Sequence, residues 1–196
     1  MPNGPGPLEG TKDYHIIAIS LVSSWSNDKS SSGHNRKLKL VNKIIRDSKT
    51  AVMTRGQESI RLPTGNGMVL GFPGSPELPL QLAVEIHERL KKHNARGPRS
   101  RALNVRIGLH FGGVLVVKDL SGGSSFFGPG MPIAYRISRL GRANQILASN
   151  TLIENLIKLN SEYSKRIKKE IPWPEKKDHL PTVYAISPHF GRLRRA

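Results

Sequence analysis

The stretch RLPTGNGMVLGF at 61–72 sets Gly65-Asn66-Gly67 between two apolar arms, the pattern of a hairpin with a polar tip. A chain running metal chemistry would be expected to carry an acid at such a tip, because hard divalent cations are held through carboxylate oxygen. Here the tip residue is an amide. Gly65, Gly67, Gly128 and Gly130 could let backbone approach a phosphate, and they serve equally well as turn residues. His110, in GLHFG, has the residue type of a general base, but it lies inside an apolar run and reads better as a hydrogen-bonded core or interface histidine. The seven histidines show no H-x-x-x-H or related ligand spacing, and no Walker loop, GxGxxG or GxSxG occurs. With no cysteine in the chain, disulfides, thiolate zinc, iron–sulfur clusters and thiol nucleophiles are excluded.

Composition narrows the class further. A chain of 196 residues with 37% apolar content suits one domain with a real core, expected over 13–190 between a loose arm at 1–12 and a basic tail at 191–196. The formal charge of +17, from 31 Lys plus Arg against 14 Asp plus Glu, favours anionic partners. Basic residues gather at 89–106, at 165–169 and at Arg192, Arg194 and Arg195. Aromatics for base stacking are nearly absent among them, so a solvated basic surface is preferred to a nucleic-acid module, which remains an alternative. The longest apolar run, HIIAISLV, is far shorter than the roughly 18 residues of a membrane span. No membrane association and a cytoplasmic location are therefore expected.

Periodicity orders the elements that must position these residues. Residues 14–22 form a continuous apolar run that suits a central strand, and 23–35 a polar loop. Leu38, Val41, Ile44 and Ile45 fall three and four apart, which predicts a helix over 36–47. Residues 51–55 and 60–72 are predicted to pair as a hairpin turning at 56–59. Ser75-Pro76 opens a second helix, whose face Leu78, Leu82, Ile86, Leu90 continues to about Asn94. Residues 103–117 carry two apolar segments around Gly112-Gly113, predicting a bent strand or tight hairpin. A helix at 131–140, a strand at 145–148, a helix at 151–160 and a strand at 182–187 complete an α+β order with helices on one face of the sheet.

Five segments together resemble a known family. LNVRIGLHFGGVLVV, SSFFGPGMPIAYRISRLGRANQILAS and TLIENL are similar to the second half of the class III nucleotidyl cyclase catalytic domain, with its V-R-I-G-x-H-x-G, F-G-x-x-V-N-x-A-x-R and G-x-Q-I-L-x-S motifs. FGPG preceded by VKDLSG is closest in style to bacterial phage-defence pyrimidine cyclases. IIAISLVSSW and LPTGNGMVLGF fall where that family has its first metal strand and its Gly-Asp-Gly hairpin, so the likeness spans about 14–187. It implies a ferredoxin-like βαββαβ sheet and head-to-tail dimers with sites split across the interface. Two metal ions held by two aspartates would promote attack of a 3′-hydroxyl on the α-phosphate of a nucleoside triphosphate.

This chain departs from the pattern where chemistry is done. Ser20 stands for the first aspartate, Asn66 for the second and Pro132 for the motif asparagine, while Arg136 alone is retained as a catalytic candidate. The base-reading positions are Leu62 and Ser125; Arg61 and Asp119 lie near them but read better as a strand-surface and a turn residue. The resemblance thus implies a degenerate member with no metal site, no cofactor expected, and Mg²⁺ or Mn²⁺ only if active. Nucleotide contacts would fall at Leu62, Gly65, Asn66, Gly67, Ser125 and Gly128. The expected partners are a second copy or another cyclase-type domain, with a nucleoside triphosphate as ligand. The alternative is a divergent active cyclase recruiting Asp13, Asp28 or Asp119.

Overall fold

The computed structural model describes residues 10–22, 31–55, 59–98, 101–118, 124–174 and 180–188. Most of the expected arm, the basic tail, Asp28, Asp119 and positions 56–58 of the expected turn lie outside the described residues. In chain order the elements are β1 (Thr11–Leu21), α1 (Ser31–Arg46), α2 (Lys49–Met53), β2 (Ile60–Thr64), β3 (Gly67–Phe72), α3 (Glu77–Asn94), β4 (Val105–Lys118) and β5 (Ser124–Phe127). They are followed by α4 (Gly130–Leu140), β6 (Ile146–Ser149), α5 (Asn150–Leu159), a 3-10 turn (Ser161–Arg166), β7 (Ile167–Glu170) and β8 (Val183–Ile186).

All the strands join one mixed sheet of order β2-β3-β1-β4-β6-β8-β7, with β5 added on β4. The central strand β1 is apolar at consecutive positions because it is covered on both faces. Ile17, Ile19 and Leu21 point into the larger core with Val41 of α1, Leu82 and Ile86 of α3 and Leu152 of α5. Tyr14, Ile16 and Ala18 alternate to the other face, under Met131 and Ala134 of α4. The helices of the βαββαβ core thus share one face, as expected, and α4, which follows that core, crosses the other.

What lets α4 lie so close is Gly108, opposite Ala18 in β4. A Cβ there would overlap the Ala134 carbonyl oxygen and the Ser138 nitrogen. At the start of α4, Gly128 adopts φ +109° and Gly130 sits against the Gly112 and Gly113 carbonyls, so the FGPG segment passes directly over the β4 backbone.

Several expectations are corrected. Residues 51–55 form no hairpin arm: Ala51 to Met53 belong to the short helix α2, in which Ala51 is buried, and the hairpin is β2–β3 itself, turning at Gly65-Asn66. Residues 103–117 neither bend nor turn at Gly112-Gly113; β4 runs on as one strand that stays in register with β1 from Val105 to Leu115. The helix expected from 36 begins at Ser31, inside the expected polar loop, and β1 takes up Thr11 and Lys12 from the expected arm. Two short strands went unread, β5 and β7, which gain definition only by pairing with β4 and β8.

Ser75 does act as the α3 cap, its Oγ accepting from the Glu77 N–H at 3.2 Å, with Pro76 already helical in dihedral. The far end of the sheet is stapled by Tyr163, whose hydroxyl donates to the Glu77 carboxylate. Burial and the adjacent Glu77 charge push the Tyr163 phenol well above its usual range.

Candidate functional site

Positions 20 and 66 meet at one end of the sheet. Ser20 pairs with Gly67 across β1–β3, and the Leu21 N–H donates to the Asn66 carbonyl at 2.8 Å, so the hairpin tip closes over the end of β1. A Cβ on Gly67 would overlap the Ile19 carbonyl oxygen; this glycine is what allows the approach. Gly65, by contrast, is open: a methyl group at its Cα would meet nothing within 4 Å.

Ser20 is 2% exposed and its hydroxyl is 3.2 Å from that of Ser138 on α4. Ser138 gives its own proton to the Tyr135 carbonyl at 2.7 Å. One proton cannot serve two bonds, so Ser20 is the donor to Ser138. Ser20 is thereby committed to holding α4 on the sheet.

Register adds residues that motif reading passed over. Thr64, Gly67, Ser20 and Arg106 form one row across β2, β3, β1 and β4. Residues directly opposite in antiparallel strands share a face, so Arg106 stands on the face of Ser20. The signal available in sequence was a charge inside an apolar strand, Val105-Arg106-Ile107. Among the described residues no cluster of three or more His, Asp or Glu side chains is placed to hold a metal ion. Asp13 pairs with Gly113, seven residues along β1 from Ser20 and about 23 Å of strand away.

The other expected residues divide. Leu62 packs against the small core under α4, as Phe126 and Tyr135 do at their own positions. Ser125 pairs with Val117 in β5, beyond the Thr11–Leu115 pair, so the length of β1, about 33 Å of strand, separates its end of the sheet from the Asn66 tip. Gly128 lies at that same far end. Arg61 faces away from Leu62: its guanidinium donates to the Ala51 carbonyl at 2.9 Å and to Thr54 Oγ1 at 3.2 Å, clamping α2 to the sheet. Burial, then Arg55, lowers its pKa from the usual arginine value.

Arg136 does not reach Ser20 in this chain. Two residues before Ser138, it is turned about 200° around α4. It is exposed, with its Cζ 5.5 Å from the centroid of the Trp173 ring, in a cleft of about 230 Å³ bounded by Arg139, Leu140, Pro174 and Leu180. The indole is itself held by donation to the Pro181 carbonyl at 2.8 Å. Pro132 is exposed in the first turn of the same helix.

His110 is 5% exposed, and its Nδ1 is 2.9 Å from the Ser149 hydroxyl that caps α5. Burial drives its pKa down to about 4. The core reading of this histidine is the one its surroundings support.

No family model matches the sequence and no curated protein matches it. Solved structures do match by shape. They include an adenylate/guanylate cyclase/hydrolase from Silicibacter pomeroyi, 18% identical, TM-score 0.66, with 91% of this chain and 98% of that chain covered. The GTP-bound guanylate cyclase domain of RhGC from Catenaria anguillulae is 19% identical, TM-score 0.58, covering 90% and 96%. A dimeric guanylyl cyclase domain of the RhoGC fusion protein from Blastocladiella emersonii is 18% identical, TM-score 0.62, covering 89% and 96%. The chain therefore has the α+β fold of class III adenylate/guanylate cyclase catalytic domains over most of its length. None of the helices among the described residues is long and apolar enough to cross a membrane.

Proposed function

We propose that this chain is a cyclase-fold domain that does not itself cyclise a nucleotide, and that it acts by nucleotide binding, dimerisation or regulation of a partner in cyclic-nucleotide-type signalling. The observation that carries this reading is the buried Ser20 hydroxyl, bonded to Ser138 at the place where the reaction would need an anionic metal ligand. Mg²⁺ is held through carboxylates and substrate phosphates, and an amide beside a serine already engaged supplies neither charge nor a free pair of ligands. These residues do not fit the two-metal arrangement.

Magnitudes support the same conclusion. Loss of one charge-stabilising group costs about a hundred- to a thousandfold in rate, and a catalytic metal contributes several kcal/mol more. Such losses do not add simply, but Ser20, Asn66 and Pro132 together leave no route to appreciable turnover. Arg136, the retained side chain, stacks on Trp173.

Separation of the Asn66 tip from Ser125 and Gly128 at opposite ends of one sheet favours a site completed by a second chain, as a dimer would provide. The test is incubation of the pure protein with each of the four ribonucleoside triphosphates and Mn²⁺, read by mass spectrometry. No cyclic product above a heat-killed control is expected, and robust product would overturn the reading.

A further inference from the structure

The outer surface of α1 and α3, which both pack on β3, collects cations in two rows. On α1, Lys39, Lys43 and Arg46 are exposed and fall three and four apart, on the side opposite Val41 and Ile45, which enter the larger core. On α3, Arg89, Lys92 and Arg96 repeat that spacing, opposite the buried Ala83 and Leu90. Arg96, one residue beyond the Ala95 cap, keeps the helical path, its N–H donating to the His93 carbonyl at 3.2 Å. Because both helices send their apolar sides into one core, the two rows face solvent together. Arg89 joins them, its guanidinium donating to the Asp47 carbonyl at the end of α1 at 2.8 Å. No acid occurs in α1, and among the described residues none of the six cations is paired with a carboxylate. Asp47 and Glu88 are exposed beside the rows, while Glu85 is turned to Thr50.

We infer that this two-row face docks double-stranded DNA through its phosphates, without reading base sequence. Each row covers seven residues of helical path, about 10.5 Å, the span of about three phosphates on one strand. The rows lie one helix spacing apart, about 8–10 Å, so flexible Lys and Arg stems reach the strands on either side of a groove about 6–12 Å wide. A single strand meets one row only and is held by stacking platforms, whereas residues 36–49 and 87–102 hold no aromatic side chain. Recognition of duplex RNA leans on ribose 2′-hydroxyls, for which donor-only Lys and Arg supply no acceptor. An anionic lipid surface calls for apolar side chains among the cations, and the exposed Val52 and Met53 of α2 lie outside both rows. Clustering along the chain shows the basic stretch that contains Arg89, Lys92 and Arg96; only the fold sets the α1 row beside it.

The experiment is a fluorescence-anisotropy titration of the full chain with a labelled DNA duplex of about 20 base pairs over a series of salt concentrations. Affinity should fall about a thousandfold between about 50 and 200 mM salt, as counterion release from about six phosphates requires, and two unrelated sequences should bind alike. Lys43→Gln with Lys92→Gln, one change in each row, should lower the salt slope by about two and weaken binding by about tenfold or more. Lys168→Gln with Lys169→Gln on the edge strand β7 removes the same charge and should leave the slope unchanged. A third variant works by gain: Glu88→Gln removes an acid beside the α3 row and should tighten binding, with thermal melts checking the fold of all three. No duplex binding at low salt, equal losses in the two double variants, or tighter binding of single-stranded DNA or duplex RNA of the same length would each overturn the inference. So would attachment to phosphatidylcholine vesicles carrying phosphatidylserine in place of DNA. Assays for cyclic product bear on positions 20, 66 and 132, not on these helices, so the two readings fail separately.

Discussion

Protonating His110 should unlock the end of the sheet where α5 begins, and the size of that effect follows from its burial. Its imidazole is 5% exposed, pairs through Nδ1 with the Ser149 cap, and has Gly112 pressed against its Nε2 edge, where a Cβ would come within 2.7 Å. Desolvation of the charged form lowers its pKa from 6.5 to about 4. In the unfolded chain it takes a proton near 6.5, so between the two values the unfolded state binds more protons and stability falls as pH drops. The contribution is complete above 6.5, erodes below it, and is fully lost once pH has dropped through 4. Between about pH 7.5 and pH 5 the linkage relation gives a loss of about 2 kcal/mol from this group alone. For a domain of this size that is a fall in Tm of about 4–8 °C.

The assay is a thermal melt followed by circular dichroism across that range, with the natural chain and His110→Gln in parallel. Glutamine keeps a hydrogen-bonding amide but cannot titrate, so its melting point should be offset at every pH while losing most of the slope. His15, also lowered by burial and stacked on Phe111 at 4.7 Å, contributes to the slope in both proteins and cancels in the difference. Equal slopes in the two proteins would refute the assignment of a buried, neutral His110.

Four other outcomes can be measured. Gly108→Ala should cost about 3 kcal/mol or more, because its methyl would force α4 off β4 and break the Ser20–Ser138 bond, whereas Gly65→Ala at the open tip should change the melting point little. Tyr163→Phe removes the bond to the Glu77 carboxylate and should lower stability by about 1.5–3 kcal/mol in denaturant titration. Trp173→Phe should release the indole bond to Pro181, and Arg136→Gln should cost no more than about 1 kcal/mol, since an exposed cation–π contact is weak; a larger loss would show that Arg136 has further partners. Sedimentation of the natural chain over a concentration series should show self-association if a second copy completes the site, and a monomer at every concentration would count against that part of the proposal.

Much of the scaffold was readable along the chain. The apolar run of β1, the three-and-four spacing of α1 and the Ser75 cap of α3 are local patterns, enforced by covering a strand on both faces or a helix on one. Misreadings fell where local pattern competes with packing. Residues 51–53, short and apolar, serve equally as a strand or a helical turn, and the Arg61 clamp on Ala51 and Thr54 holds the helical form. Gly112-Gly113 looked like a bend, but a Cβ at Gly112 would press on the His110 ring and one at Gly113 on the Thr11 side chain, and Gly128 and Gly130 close on their carbonyls, contacts that only the folded sheet creates.

The residue types at the candidate site needed no folding to be known: Ser20 and Asn66 carry no carboxylate and Pro132 no amide, a property of covalent structure. Tertiary structure alone decided what those positions do instead. Ser20 spends its proton on Ser138 because α4 crosses β1 just there, Arg106 joins its row through strand register, and Arg136 turns to Trp173 rather than to the Asn66 tip. Side-chain chemistry is carried by each residue separately, whereas partnership depends on which faces the sheet and helix bring together, and hydrophobic burial of distant segments sets that.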